Sequence, residues 1–377
     1  MLLSISGKHM NSKRVVIIME KLTAKRQFFN VPSFVDLSIT NKCNLQCTYC
    51  YADACPSSEV HMKYTTIEAL ISEFETAGVH YVRIAGGEPL LHPQIGQVLD
   101  RVGHSRLLTS ISTNGTLVNR ETAQYIKDSN IDWVVVSLDG HDKETNNATR
   151  GSFDNVISGI ENLLSLGIVT KLACVVTKSN YSFIADIIKF SSQLNVCSVG
   201  FLLFSKVGRA IDNYNELSLD KDSIREIVRT VNEFKKSPIN GLRINLVFPH
   251  ESAVPWELST SVCQSDIEKF WGIPVSDINT KKLGCNAGIV TCSINANGDV
   301  YGCEQLMNFP AMNAGNVAND KFVDIWKYGK SFKYLRSIDF EDLKGKCAKC
   351  DRIGCGGGCR AIALGVTNDF LAFGQEC

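Results

Sequence analysis

The sequence lacks any long apolar run and any excess of charge of one sign. Its longest apolar stretch near the amino end, Val15 to Met19, is too short for a signal-peptide core or for a membrane span, which needs about 20 apolar residues. The 39 basic residues balance 39 acidic ones, so no net field attracts nucleic acid or a membrane surface. We therefore expect a cytoplasmic protein that acts on neither nucleic acid nor membranes.

Internal repeats and long low-complexity segments are also missing. A hydrophobic content of 44% over 377 residues is typical of a globular chain with room for two or three domains. Cysteine, by contrast, is plentiful, with 15 residues gathered largely in two groups. Clustered cysteines in a long chain of this composition favour metal binding in a reducing compartment over a disulfide scaffold. Oxygen sensitivity is expected.

Short apolar runs recur at regular intervals along the first half of the chain, and helical patterns separate them. One helix is predicted to begin with Thr65 as its cap and to end at Gly78, and another begins at Ser152. Alternating strands and helices predict a parallel α/β sheet with functional loops at the carboxyl ends of the strands. The six predicted strands are residues 34–39, 81–85, 107–112, 133–138, 172–176 and 199–204.

Composition divides the chain into four regions. We predict that residues 1–30 form a lead-in segment and that residues 31–236 form the α/β core. Residues 237–283 are predicted to form a bridging region with one short strand. Residues 284–377 carry eight of the cysteines and many glycines. We expect this last region to be a small domain that metal clusters hold together more than an apolar core does.

Three cysteines, Cys43, Cys47 and Cys50, follow the first predicted strand directly. Their spacing suits three irons of a cubane four-iron cluster and leaves the fourth iron for an exogenous chelating ligand. A zinc knuckle with Cys55 as a fourth ligand is the alternative, because zinc normally takes four protein ligands. An iron with an open position can bind a ligand and carry out chemistry.

With Tyr49 before the last of these cysteines, the segment resembles the signature of the radical S-adenosylmethionine (SAM) enzymes. The resemblance continues after the second strand in Gly86, Gly87 and Glu88, where glycines permit close backbone approach and the carboxylate can accept hydrogen bonds from an ammonium group. Further SAM-binding residues follow from the same resemblance. For the serine, asparagine and aspartate residues among them, the alternative role is to cap a loop, and for the arginine it is an exposed position at the start of a helix. The further SAM-binding residues that the resemblance implies are Ser112, Asn114, Ser137, Asp139 and Arg150.

A second group of cysteines near the carboxyl end, with Gly298 five residues before Cys303, resembles the SPASM domain, the auxiliary-cluster module of one radical SAM subfamily. The interval between Cys350 and Cys355 is one residue shorter than usual. A rubredoxin or zinc-ribbon site is the alternative, and Cys55, Cys174, Cys197 and Cys263 are assigned no chemistry. The resemblance implies a nearer cluster on Cys285, Cys292, Cys303 and Cys359 and a farther one on Cys347, Cys350, Cys355 and Cys377.

The resemblance implies a partial (β/α)6 barrel of the TIM type followed by a small C-terminal iron-sulfur SPASM domain, with SAM and three [4Fe-4S] clusters as cofactors. Reductive cleavage of SAM would give a 5'-deoxyadenosyl radical that abstracts a substrate hydrogen away from water. The auxiliary clusters would accept an electron or help organise the site. Glu304, directly after Cys303, is the expected catalytic base, with a salt-bridge or capping role as the alternative.

Most relatives with the full module modify a ribosomally made peptide, so a precursor peptide is the expected substrate. A fused leader-binding domain is not recognised in the sequence, so we expect a separate leader-peptide-binding protein, and an external electron donor such as flavodoxin or ferredoxin. Modification of a nonpeptide metabolite such as a porphyrin side chain is the second hypothesis. A noncatalytic iron-sulfur electron carrier is the third, although a carrier would not require the glycine-rich turn at Gly86 to Pro89.

Overall fold

One open, twisted sheet organises the molecule. The structure is a computed structural model, and it describes residues 24–237, 239–247, 283–350 and 356–373. Ten described strands join in the order β10-β9-β8-β1-β2-β3-β4-β5-β6-β7. They are β1 Phe34–Ser38, β2 Tyr81–Ala85, β3 Leu108–Thr113, β4 Trp133–Ser137, β5 Thr170–Val176, β6 Ser198–Leu203, β7 Arg243–Val247, β8 Thr291–Ile294, β9 Asp299–Tyr301 and β10 Gly315–Asn316.

Strands β1 to β6 lie side by side in chain order, and each neighbouring pair is parallel. Helices connect them, as parallel pairing requires. This open parallel α/β sheet confirms the expected partial barrel, and all six predicted strands are present within two residues of the predicted bounds. The α-helices of the described residues are α1 Tyr64–Ala77, α2 Ile95–Gly103, α3 Arg120–Asp128, α4 Lys143–Asn147, α5 Phe153–Ser165, α6 Ile184–Gln193, α7 Tyr214–Leu217, α8 Lys221–Lys236, α9 Phe322–Tyr328, α10 Lys330–Ser337 and α11 Arg360–Thr367.

The two faces of the sheet differ in polarity, because successive side chains of a strand point to opposite sides. The face toward the helices is apolar and forms the core, with Val35, Ile84 and Val134 fully buried. The concave face carries polar residues instead, among them Arg83 and Lys171, which are half-buried. This polar concave face is where a ligand can be held.

Helix α1 shows how packing overrides a local signal. Its cap is Lys63, which makes no side-chain capping bond, and the predicted cap Thr65 lies inside the helix, so that prediction was wrong. Burial of the apolar side of α1, which begins with Ile67 in the first turn, stabilises the helix without a capping side chain. The predicted end is confirmed, since Gly78 has φ +87° and its N–H donates to the carbonyl of Phe74 at 3.0 Å.

The C-terminal region continues the same sheet. Strand β8 pairs parallel with β1, and β9 pairs antiparallel with β8. Its interior is apolar, with Phe322, Trp326 and Phe332 fully buried, which differs from the expectation that clusters more than an apolar core hold this region together. The ring of Phe322 packs edge-on against Phe74 of α1, with 4.8 Å between centroids, and so attaches this core to the barrel.

Some of the expected regions lie outside the described residues, namely residues 1–23 of the lead-in and 248–282 of the bridging region. In the part of the chain that is described, no helix is both long and apolar enough to cross a bilayer.

Replacing Phe322 by alanine should lower the free energy of unfolding by about 3–5 kcal/mol, because it opens a cavity where the two cores meet. Anaerobic denaturation of the cluster-loaded protein measures the change. Tyr328→Ala on the same helix is the matched control, since that side chain is 64% exposed and its loss should cost less than about 0.5 kcal/mol. Equal losses in the two variants would contradict this account of the junction.

Candidate iron-sulfur and SAM site

The loop after β1 brings the first three cysteines together. Cys43 and Cys47 are buried and Cys50 is half-buried. Burial raises the pKa of the Cys43 thiol to about 11, and the nearby Glu88, Cys47 and Cys50 raise it further by charge repulsion. The thiols therefore lie within electrostatic reach of one another. Cationic iron would relieve this repulsion, so the loop suits thiolate ligation.

The glycine turn after β2 lies directly against the cysteine loop. The N–H of Gly87 donates to the carbonyl of Thr40 and the N–H of Glu88 to that of Lys42, both at 2.8 Å. A Cβ on Gly86 would lie 2.4 Å from the oxygen of Thr40, and one on Gly87 would lie 2.3 Å from the oxygen of Lys42. Only glycine permits this approach. The predicted close backbone approach is therefore present in the structure.

Glu88 is fully buried and ties the end of β2 to the end of β3. Its carboxylate accepts hydrogen bonds from Thr113 Oγ1 at 2.8 Å, Asn114 N at 2.7 Å and Leu90 N at 3.1 Å. Burial raises the pKa of Glu88 to about 7, although these hydrogen bonds oppose the rise. Contact of Glu88 with an ammonium group stays a prediction.

Three of the expected SAM-binding residues form one network. The buried carboxylate of Asp139 accepts hydrogen bonds from the hydroxyl of Tyr49 and from Arg150 Nε, the latter at 3.3 Å. Arg150 Nη2 also donates to the hydroxyl oxygen of Tyr49 at 2.6 Å. Burial alone would lower the pKa of Arg150, but the charges of Asp139, Tyr49 and Cys47 together outweigh it and raise this pKa well above its ordinary value. A fixed positive charge thus stands beside the cysteine loop.

The remaining expected SAM-binding residues lie at the same edge of the sheet. Asn114 Nδ2 donates to Asn44 Oδ1 at 2.9 Å and lies 3.9 Å from Cys43 Sγ, so it connects the end of β3 to the cysteine loop. Ser112 and Ser137 are half-buried in β3 and β4. Their contact with SAM stays a prediction.

The loop after β6 holds the cysteine loop from its other side, a role that the sequence reasoning missed. Arg209 donates from Nη1 to the carbonyl of Cys47 at 2.9 Å and from Nη2 to that of Ala54 at 2.6 Å. Asn213 Nδ2 donates to the carbonyl of Thr48 at 2.8 Å. No spacing rule points to these residues, because their targets are backbone carbonyls far away in the chain.

Glu304 stands next to a buried ion pair that the sequence reasoning also missed. Arg83 Nε and Nη2 donate to the two carboxylate oxygens of Asp36 at 2.9 and 2.8 Å. Arg83 Nη2 lies 3.8 Å from Glu304 Oε1. Burial raises the pKa of Glu304, and the charge of Arg83 opposes the rise. A charged residue in the middle of each of two apolar strands is the signal that could have identified this pair.

The auxiliary cysteines gather only in part. Cys303 has Cys359 and Cys285 among its closest ionisable neighbours, whereas those of Cys292 are Asp36 and Arg336. Cys292 is thus grouped less closely with Cys303, and its place in the nearer cluster stays a prediction. Cys347 and Cys350 lie together, with the N–H of Cys350 donating to the carbonyl of Cys347 at 3.2 Å. Their expected partners Cys355 and Cys377 lie outside the described residues, as does Cys263.

The first cysteine loop fits a four-iron cluster better than a single ion. Within the described ranges, no three His, Cys, Asp or Glu side chains converge as they would on one metal ion. A cubane spreads its thiolates over separate irons and suits a wider arrangement. A thiolate loop at the carboxyl edge of an open parallel sheet, with a polar concave face beside it, defines the class of iron-sulfur α/β-barrel proteins.

Comparison with protein families agrees with the class of iron-sulfur α/β-barrel proteins and identifies the superfamily. Residues 37–190 match the model of the Radical SAM superfamily, and residues 285–351 match SPASM, an iron-sulfur cluster-binding domain. The chain belongs to the radical SAM superfamily and carries a SPASM domain. Its cofactors are SAM and [4Fe-4S] clusters.

Known relatives are similar over most of the chain. An AdoMet-dependent heme synthase from Nitratidesulfovibrio vulgaris is 28% identical over 349 residues, which cover 90% of each protein. The mycofactocin maturase MftC of Mycolicibacterium smegmatis is 26% identical over 339 residues, 88% of this chain and 79% of that protein. SuiB of Streptococcus suis bound to S-adenosylmethionine aligns with a TM-score of 0.73 at 20% identity, over 97% of this chain and 80% of that one. SuiB bound to its precursor peptide SuiA aligns with a TM-score of 0.72 at 20% identity, over 96% and 78%. The SuiB alignments show a shared fold.

Replacing Arg209 by alanine should reduce the iron bound by the first cysteine loop, because the carbonyls of Cys47 and Ala54 lose the side chain that positions them. The measurement is iron and sulfide per chain after anaerobic reconstitution, together with SAM affinity. Arg225→Ala is the control, since Arg225 pairs with Asp222 on an exposed helix face. Normal loading and normal SAM affinity in Arg209→Ala would show that the loop holds its shape without this residue.

Proposed function

We propose that this radical SAM enzyme modifies a residue of a ribosomally synthesised precursor peptide. The observation that carries the proposal is the placement of an acid, Glu304, next to both the concave face and the first cysteine loop. Tyr51, directly after Cys50, has Asp36 and Glu304 among its closest charged neighbours. A substrate bound on the concave face can therefore reach the SAM site and a proton acceptor together. The similarity to MftC, named a maturase, supports a peptide as the substrate.

Each residue of the site has a separate role in the proposed reaction. When bound, the first cluster and SAM would supply the radical chemistry that abstracts a hydrogen atom from the substrate. Cys43, Cys47 and Cys50 hold that cluster, and Arg150 offers a positive charge suited to the carboxylate of SAM. Glu304 accepts a proton from the substrate at Oε1. Arg83, fixed by both oxygens of Asp36, opposes the rise in the pKa of Glu304 and so favours its charged form.

The floor of the barrel supports entry of the substrate from the cysteine edge. Phe34 and Tyr81 stack with 4.8 Å between ring centroids, and Tyr81 lies 5.1 Å from Trp133. Lys171 Nζ lies 3.8 Å from the centre of the Trp133 ring. Phe34, Tyr81 and Trp133 are the first residues of β1, β2 and β4, and Lys171 lies near the start of β5. All four residues therefore lie at the end of the sheet opposite to the cysteine loop. The packed rings leave the carboxyl edge as the open side.

We also propose two partners. A small leader-peptide-binding protein presents the precursor, and an external low-potential donor such as flavodoxin or ferredoxin reduces the clusters. Binding measurements between the chain and each candidate, with and without the precursor, test both assignments.

Modification of a tetrapyrrole is the second candidate function. The heme synthase relative supports it, because it is 28% identical and aligned over 90% of each protein. The structure favours a noncatalytic electron carrier less, because electron transfer does not require a tight glycine turn packed against the cysteine loop.

A direct experiment separates these candidates. Reduced enzyme is incubated with SAM and, in parallel, with precursor peptides or with iron-coproporphyrin, and mass spectrometry follows the substrates while chromatography follows 5'-deoxyadenosine. We expect deoxyadenosine release and a mass change in a peptide. A variant with Cys43, Cys47 and Cys50 replaced by alanine is the control and should release none. A mass change confined to the porphyrin would refute the peptide assignment, and the absence of deoxyadenosine release with every substrate would refute catalysis.

Replacing Glu304 by glutamine should lower formation of the modified product by about 10²–10⁴-fold, because the amide cannot accept the proton. Release of 5'-deoxyadenosine should persist, since Glu304 acts on the substrate and not on SAM. The measurement is the ratio of product to deoxyadenosine. Glu341→Gln is the control, as that side chain is 75% exposed. An unchanged ratio in Glu304→Gln would remove Glu304 from the mechanism.

A further inference from the structure

Two buried serine hydroxyls lie beside the ion pair of Asp36 and Arg83. Ser293 of β8 is the register partner of Asp36, and Ser38 follows Asp36 by two residues, so all three side chains point to the concave face that carries Arg83. Ser293 is 1% exposed and Ser38 is 6% exposed. Neither hydroxyl has a hydrogen-bond partner among the residues that the structure describes. Buried hydroxyls normally have a partner, so this part of the concave face indicates a site for a bound group.

The charges around these serines have an excess of acid. Arg83 Nε and Nη2 both donate to Asp36, at 2.9 and 2.8 Å, so these two charges balance. Glu304 is a second carboxylate, and its Oε1 lies 3.8 Å from Arg83 Nη2, which is beyond hydrogen-bond distance. The side chain of Glu304 is 29% exposed and can therefore contact a ligand. We call Ser38, Ser293, Asp36, Arg83 and Glu304 the acidic patch.

The acidic patch is fixed to the first cysteine loop. Asn308 Nδ2 donates to the carbonyl of Tyr51 at 2.9 Å, and Tyr51 directly follows Cys50. Asn308 is the last residue of a short 3-10 helix that begins with Glu304. This hydrogen bond therefore holds the helix that carries the acid against the loop that carries the thiols.

Lys171 is the other basic residue named on the concave face. It lies in β5, four strands from β1, and its Nζ lies 3.8 Å from the centre of the Trp133 ring. The charged neighbours of Glu304 are instead Arg83 and Asp36. The excess of acid in the acidic patch is therefore local, and this lysine does not offset it.

We propose that the acidic patch binds a primary ammonium group of the substrate. An ammonium group carries one positive charge and three N–H donors, which suit the carboxylate of Glu304 and the two serine hydroxyls. The spacing of neighbouring strands and of alternate residues separates the Cα atoms of Ser38 and Ser293 by about 8 Å, so one small group can lie between their side chains. The inference rests on the proposed function, because it names the group that the substrate brings to Glu304. A porphyrin propionate would instead add another negative charge to the acidic patch.

The first test measures binding without turnover. Cluster-loaded protein, saturated with SAM and kept oxidised, is titrated anaerobically in a calorimeter with Nα-acetyl-lysine amide and with Nα-acetyl-norleucine amide, which lacks the ammonium group. We expect the lysine derivative to bind about 10-fold more tightly or better, because a hydrogen bond to a charged group is stronger than a neutral contact. Norleucine amide, which has a free α-ammonium group, shows whether the amino terminus of a peptide is the source instead. Equal binding of all three probes, or no binding of either ammonium probe, would overturn the proposal.

The second test removes the acceptors one at a time. Ser38→Ala and Ser293→Ala should each weaken binding of the preferred ammonium probe about 3- to 10-fold, and Glu304→Gln should abolish the advantage of this probe over Nα-acetyl-norleucine amide. Ser110→Ala is the matched control and should bind as the wild type does, because Ser110 lies beside Arg83 on the same face and its hydroxyl is already bonded to that of Tyr81 at 2.6 Å. Iron content and thermal unfolding show whether each variant is folded and loaded. Unchanged affinity in both serine variants would mean that their hydroxyls do not contact the probe, and would overturn the site.

Neither titration requires a peptide or catalysis. Absence of a mass change in precursor peptides would refute the proposed function, whereas loss of the preference for an ammonium group would refute this assignment of the substrate group. The two failures would therefore be seen separately.

Discussion

The cysteine loop after β1 has no regular secondary structure of its own, and its shape depends on backbone hydrogen bonds to neighbouring segments. Thr40 and Lys42 pair with the glycine turn after β2, while Cys47 is held through its carbonyl by Arg209 from the loop after β6. These bonds approach from opposite sides, so the positions of the thiols follow from the register of the sheet. Any shift of β2 against β1 would move the ligands of the first cluster.

Buried charge is the second feature on which the site depends. Asp139 and Asp36 are both fully buried, and each is paired with an arginine and accepts more than one hydrogen bond. Breaking one partner of such a pair costs about 3–5 kcal/mol, although the pair itself adds little net stability over apolar packing. The arginines therefore contribute orientation more than stability. Fixed dipoles and charges around a ligand are what catalysis in a dry pocket requires.

Topology explains why the two cysteine regions can work together. Strand β8 returns to the edge of the barrel beside β1, which is the strand that leads into the first cysteine loop. Glu304 consequently lies near Asp36 and Arg83, although more than 200 residues separate it from them in sequence. The same pairing directs Cys292 into the core. The position of this one strand thus sets the approach of the acid to the concave face.

Features that rest on local patterns could be predicted from the sequence. Periodic apolar residues predicted six strands, a glycine predicted the end of α1, and short spacings marked the cysteine groups, because each signal lies within a few residues. Which side chains meet depends instead on how distant segments of the chain pack together. Arg83 and Asp36 are 47 residues apart, and Arg209 and Cys47 are 162 apart. Cys292 lies in β8 beside the buried Val35, and the spacing of the cysteines does not indicate this, because the side to which a strand residue points is set by the register of its strand with the neighbouring strands.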